Sequence, residues 1–298
     1  MNDERARILK LLEDGKITAD QAARLIEALK PRSFEPGFIP PVPPLPPLSR
    51  RRHMKELERI PDIVAHAVTS AMKSGIETDD EGKQVFPGKT TLSVKGVSGD
   101  VEVNGSSEDR IVVSYSGGMV KVREADDGVE VRSVSGDVEA DVPNSCRLDV
   151  TTVSGDVTVG QVNAEIQVKT VSGDVQLEDH DGRTEISTTS GDVELNGQAG
   201  ETRVETRSGD TEIEMAGPLE GSVLSRSGDI TLAVCAGADL MIEAEAVEDG
   251  EVELDVTAPH EVLEQRAGLV RVKFGEGSRS VVLRTRSGEI AVRDAEEA

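Results

Sequence analysis

VTTVSGDVTV (150–159), VKTVSGDVQL (168–177), ISTTSGDVEL (186–195) and VETRSGDTEI (204–213) follow one another at a step of 18 residues. The same Ser-Gly-Asp triplet stands at 98, 135, 154, 172, 190, 208 and 227, with Ser-Gly-Glu at 287. Ser116-Gly117-Gly118 splits the one 37-residue gap, and Asp249-Gly250-Glu251 and Ala267-Gly268-Leu269 split the last, which predicts eleven consecutive units. Aligned on the Ser, the residue four places before it is Val94, Val112, Val131, Val150, Val168, Ile186, Val204, Val223 or Leu283. Two places before it, Gly96 aside, stands Ser or Thr, and apolar residues return three and five places after it, as in Val157 and Val159 or Val175 and Leu177. The period is two, which describes strands with one buried face, not helices. The glycines Gly99, Gly136, Gly155, Gly173, Gly191, Gly209 and Gly228 then mark corners where φ is unusual or a side chain would collide.

Each unit is therefore two short strands around a corner, too small to bury its own apolar face. Units must stack at about 4.8 Å per step. The expected fold is mainly β, a right-handed single-stranded β-helix (β-solenoid) of about eleven 18–20-residue rungs over 84–298, some 50 Å long. Composition fits a narrow tube: among 298 residues there is no Trp, one Tyr and four Phe. Up to residue 75 the chain has 13 Lys and Arg against 10 Asp and Glu, hence +3; beyond it there are 20 against 47, hence −27. Such an acidic body repels phosphate backbones and anionic lipid, which argues against nucleic acid as a partner and leaves cations or basic proteins. No window approaches the roughly 18 apolar residues of a membrane span, and Met1-Asn-Asp-Glu-Arg does not read as a signal peptide, so the expected location is the cytoplasm.

Helical spacing appears only near the start. Leu11 and Leu12 precede Gly15, and Leu25, Ile26 and Leu29 follow Thr18, whose pairing with Gln21 fits a capping box. This predicts a helical hairpin over 1–30, too short to fold alone, whose apolar stripe is expected to drive homo-oligomerisation. Residues 31–52, with their run of prolines, read as a semi-rigid spacer. Residues 53–75 carry Ile63, Val64, Ala67, Val68, Ala71 and Met72 on one side and are expected to cap the open first rung.

Residues 11–22, LLEDGKITADQA, resemble the SHOCT-like helical hairpins of bacteria. The Ser-Gly-Asp-Val repeat resembles the bacterial candidate-adhesin repeat domain, a family of unassigned biochemistry, and the two in this order are similar to proteins linked to cell-envelope stress responses. The resemblance implies a β-solenoid without an established catalytic site, associated with the inner face of the envelope.

The row Asp137, Asp156, Asp174, Asp192, Asp210 and Asp229 occupies six corners read as successive, with Asp100 and Glu289 outlying. Carboxylates one rung apart repel by about 1 kcal/mol in water and about 3 at an effective dielectric of 20, so something must offset the repulsion. The favoured reading is that each accepts a backbone N–H from the next corner. Weak divalent cation binding, with Asp156, Asp174 and Asp192 as candidates, is the alternative that hard oxygen ligands at regular spacing suggest, which would make the chain a Ca²⁺-binding surface adhesin. A polysaccharide-acting enzyme is disfavoured, since the rungs lack the insertions that build a cleft and His53, His66, His180 and His260 mark no triad. Cys146 and Cys235 have no metal-ligand spacing, and neither cofactor nor metal is expected. The residue before each corner changes from Val97, Tyr115, Val134, Val153 and Val171 to Thr189, Arg207, Arg226 and Arg286; pointing outward, the stripe suggests a docking surface for a protein partner. The reading is a non-enzymatic scaffold or interaction protein.

Overall fold

The computed structural model describes residues 81–295 apart from position 249, so the hairpin, spacer and helix expected before residue 76 lie outside the described residues. The described chain enters with β1 (Glu81–Pro87). β2 (Thr91–Gly96) and β3 (Val101–Ser106) flank the Gly99 corner, and β4 (Arg110–Ser116) and β5 (Val120–Glu124) flank Gly117-Gly118. β6 (Gly128–Ser133) and β7 (Asp137–Pro143) flank Gly136, and β8 (Arg147–Ser154) and β9 (Val157–Gly160) flank Gly155. The strands then lengthen and run from one rung into the next. β10 (Glu165–Ser172) turns at Gly173 into β11 (Val175–Ser190), β11 turns at Gly191 into β12 (Val193–Thr206), β12 turns at Gly209 into β13 (Thr211–Ser227), and β13 turns at Gly228 into β14 (Ile230–Val234). β15 (Leu240–Ala246) and β16 (Val252–Asp255) flank Gly250, β17 (His260–Arg266) and β18 (Leu269–Phe274) form a hairpin, and β19 (Arg279–Ser287) and β20 (Ile290–Asp294) flank Gly288.

In the middle of the stack the register is the one the repeat demands. Val150, Val168, Ile186, Val204 and Val223 are parallel Cα partners in turn, as are Val157, Val175, Val193 and Thr211 across the second arm. Both columns face inward and are essentially sealed from solvent. Each column holds only β-branched side chains, valine and isoleucine with Thr211 at one place, and this is why a chain nearly free of aromatics still forms a core.

The ends depart from consecutive stacking. β2 pairs with both β6 and β8, and β3 with both β7 and β9, so the Gly99 rung is inserted between the Gly136 and Gly155 rungs. Likewise β19 pairs with β13 and β15, and β20 with β14 and β16, placing the Gly288 rung between those of Gly228 and Gly250. The rung order is Gly136, Gly99, Gly155, Gly173, Gly191, Gly209, Gly228, Gly288, Gly250. Antiparallel strands account for the detour. β4 and β5 form a reversed rung on β7 and β6, and β1 pairs antiparallel with β4. At the other end β18 pairs antiparallel with β15, and β17 with β18. A parallel rung left outermost would present a bare ladder of N–H and C=O groups; tucking it one place inward and laying reversed strands outside it pairs most of that edge.

Two expectations change accordingly. Among the described residues the unit count is ten, nine parallel rungs and one reversed, because Ala267-Gly268 is the two-residue turn of the β17–β18 hairpin, with Arg266 facing Leu269 and Gly268 at φ +69°, and not a corner. Ser116-Gly117-Gly118 is a corner, but of the reversed rung. That reversal turns Tyr115 inward: it pairs with Val138 and is only 9% exposed, so it does not belong to the outer stripe.

Candidate functional site

The corner is built by glycine. At Gly155, Gly173, Gly191, Gly209 and Gly228 φ lies between +119° and +134°, and a Cβ there would stand 2.1–2.2 Å from the carbonyl oxygen of the glycine one rung below. The close approach brings the following Asp within reach of its counterpart. The Asp100 N–H donates to Asp137 Oδ1 at 3.1 Å, Asp156 to Asp100 at 3.0 Å and Asp174 to Asp156 at 2.9 Å. Asp192, Asp210, Asp229 and Glu289 continue the chain at 2.8 Å each, onto Asp174, Asp192, Asp210 and Asp229. One carboxylate oxygen per rung is thus committed to a backbone donor, and this offsets the repulsion along the row. The row also corrects the sequence order: Asp100 lies between Asp137 and Asp156, and Glu289 directly follows Asp229, because the Gly99 and Gly288 rungs are inserted. Behind it, Thr152, Thr188 and Thr206 donate their hydroxyls to the carbonyls of Ser154, Ser190 and Ser208 at 3.2–3.4 Å, closing these three corners from within.

Among the described residues no group of three or more His, Cys, Asp or Glu is arranged to hold a metal ion. Asp156, Asp174 and Asp192 stay in line, one per rung, and do not converge. Cys146 is buried, and burial pushes its thiol up to about 11, while Cys235 is half-exposed elsewhere. His180 is sealed inside the stack and His260 is exposed beside Phe274.

The outer stripe is more continuous than the sequence order suggests. Val134, Val97, Val153 and Val171 lie on four adjacent rungs in that order, all half-buried, followed by half-buried Thr189 and Arg207 and by exposed Arg226 and Arg286. Arg286 is held by Glu248, whose Oε1 accepts from its Nε at 2.9 Å and its Nη2 at 2.8 Å; the Arg286 hydrogen bond and charge keep the Glu248 carboxyl below the usual carboxylate range. One feature escaped sequence reasoning. A concavity of about 630 Å³ opens near the first rungs, where Lys83 faces Asp100, Glu102, Asp137 and Glu139. Only the antiparallel placement of β1 and β4 and the insertion of the Gly99 rung bring these together.

A family model described as Toastrack DUF4097 matches residues 62–177 and again 129–293, and one described as a SHOCT-like domain matches residues 3–33. Two solved structures are similar. One is a candidate adhesin from Bacteroides fragilis NCTC 9343, 15% identical with a TM-score of 0.46 over 72% of this chain and 98% of that one. The other is a candidate cell adhesion protein from Clostridium sporogenes ATCC 15579, 11% identical with a TM-score of 0.30 over 72% and 99%. No curated protein matches.

Proposed function

The chain belongs to the Toastrack DUF4097 family, and from there we propose that it is a non-enzymatic scaffold that offers the outer stripe of its β-solenoid to a protein partner. The observation that carries this reading is the equivalence of the corner carboxylates: from rung to rung each gives one oxygen to the same backbone donor in the same geometry. Acid–base catalysis needs groups in different environments, with affinities for the proton pushed apart, and a row of like residues in like surroundings has no such division of labour.

The stripe itself supplies the recognition chemistry. Four half-buried valines continue into Arg207, Arg226 and Arg286 on a body that is otherwise acidic. A partner surface with an apolar patch beside a carboxylate complements that gradient. Self-assembly falls to the N-terminal hairpin, through Leu11, Leu12, Leu25, Ile26 and Leu29, and the resemblance to envelope-stress proteins suggests work on the cytoplasmic side of the envelope.

The test is a pair of substitutions in the full chain. Val153→Glu with Val171→Glu changes the stripe and touches neither core nor corner; it should leave the thermal midpoint within a few degrees and abolish crosslinking to the partner in the source cell. Gln176→Lys, on the other outer face, is the control. Unchanged crosslinking in the double variant would refute the stripe as the docking surface.

A further inference from the structure

The inner bend of successive rungs carries Val162, His180, Gln198 and Met215; His180 and Gln198 are direct parallel partners, and Gln198 pairs in turn with Met215. Beside them the next inward column, aliphatic at Leu148 and Ile166, becomes Thr184 and Thr202, again direct partners. All four polar side chains are at most 2% exposed. Among the described residues, His180 Nε2, Gln198 Oε1, Thr184 Oγ1 and Thr202 Oγ1 have no hydrogen-bond partner.

Proton accounting says what this group needs. His180 Nδ1 sits against the Val162 carbonyl oxygen, which can only accept, so Nδ1 carries the hydrogen and Nε2 of the neutral ring is an acceptor. The Gln198 amide nitrogen donates to the Asn196 carbonyl at 3.4 Å, which leaves Oε1 as a second acceptor. Turning the amide over would set Oε1 against that carbonyl. Two neighbouring acceptors cannot bond to each other, and a molecule with two hydrogens to give satisfies both. Burial holds the ring below the ordinary value of 6.5 against the opposing pull of the Val162 carbonyl and Asp181, so at neutral pH it is uncharged. The other ionisable groups near it on its own strand are Glu178, Asp179 and Arg183, all exposed. The facing β12 segment Asn196–Ala199 and the 161–164 turn contribute none.

We propose that His180, Gln198, Thr184 and Thr202 form a buried water site, in which water bridges His180 Nε2 and Gln198 Oε1 and the two threonine hydroxyls complete its hydrogen bonds. Buried water takes roughly two to four such partners, and the four orphaned side-chain atoms are within that range: two acceptors for its hydrogens and two hydroxyls to donate to its oxygen. At the same bend the flanking rungs carry Val162 and Met215, so the polar pair is a local feature of the Gly173–Gly209 rungs.

The test uses the full chain at neutral pH. A high-resolution crystal structure should show a solvent peak within hydrogen-bond distance of both His180 Nε2 and Gln198 Oε1. ¹⁵N spectra of labelled histidine should show His180 as the Nδ1–H tautomer. Replacing the pair by its column neighbours, His180→Val with Gln198→Met, should lower the number of long-lived waters seen by ¹⁷O relaxation dispersion by at least one. A direct bond between the His180 and Gln198 side chains, an Nε2–H tautomer, or a long-lived water count unchanged in a folded double variant would each overturn the proposal. If the double variant fails to fold, the two wild-type measurements decide.

Discussion

Gly191→Ala probes the corner with the smallest possible side chain. The residue has φ +120°, where only glycine sits without strain, and forcing alanine there costs about 1–3 kcal/mol. The new Cβ would stand 2.2 Å from the Gly173 carbonyl oxygen, so relief to a tolerable 3.4 Å requires a retreat of about 1.2 Å by backbone one rung away. That retreat disturbs the bond from the Asp192 N–H to Asp174 Oδ1, now 2.8 Å, and the one from the Gly173 N–H to the Ser190 carbonyl, now 3.3 Å. Losing the charge-assisted bond adds about 1.5–3 kcal/mol. Together these give a loss of about 2.5–6 kcal/mol, or, at roughly 3 °C per kcal/mol for a domain of this size, a fall of about 8–18 °C in melting midpoint. Urea denaturation and calorimetry of the full chain measure both quantities. The matched control is Glu194→Gln, on an exposed outer position where Gln still accepts from Asn196 Nδ2, and it should be silent. A loss below 1 kcal/mol for Gly191→Ala would refute the steric account of the corner.

Asp192 separates the hydrogen bond from the charge: Asp192→Asn keeps an acceptor for the Asp210 N–H and removes like-charge repulsion, so denaturation should show it at or above wild-type stability, whereas Asp192→Ala should lose about 1–2 kcal/mol. For His180, burial depresses the folded-state proton affinity below that of the unfolded chain, so its contribution is fully present above about pH 6.5 and is lost as the pH falls toward the lower folded value. Melting midpoints at pH 8 and 5.5 should therefore drop further for wild type than for His180→Gln, and parallel drops would contradict this. With its thiol pushed up to about 11 and buried, Cys146 should resist a thiol reagent in the native state while half-exposed Cys235 reacts, giving one equivalent before unfolding and two after.

The rung was legible in the sequence because each requirement falls on one residue type at a fixed place. Glycine alone accepts the corner, Asp reaches the next N–H, and β-branched residues such as Val150 and Val168 fill a narrow interior. Stacking order was not legible. The Gly99 unit keeps the corner triplet and aliphatic positions of its neighbours, its one local departure being Gly96 where they carry Ser or Thr, and its insertion between Gly136 and Gly155 depends on the energetics of sheet edges, a property of the assembled stack. The same blindness put Tyr115 on the outside, since reversal of a strand inverts inside and outside without changing local spacing. Gly268 was misread for a related reason: a corner glycine and a hairpin glycine both need positive φ, and only the partner strands distinguish them. For the candidate site, the carboxylate-to-backbone pattern followed from the repeat, while the contiguous run Val134, Val97, Val153, Val171 emerged only with the true rung order.

The central claim is that the protein acts by docking a partner along that run, with the acidic row serving the fold. Site-specific photo-crosslinking in the source cell tests it most directly, with the reactive side chain placed in turn at Val153 and Val171 on the stripe and at Gln176 and Glu194 on the opposite outer face. The account predicts one discrete adduct from 153 and 171 and none from 176 and 194. Adducts from 176 and 194 with none from the stripe would contradict it.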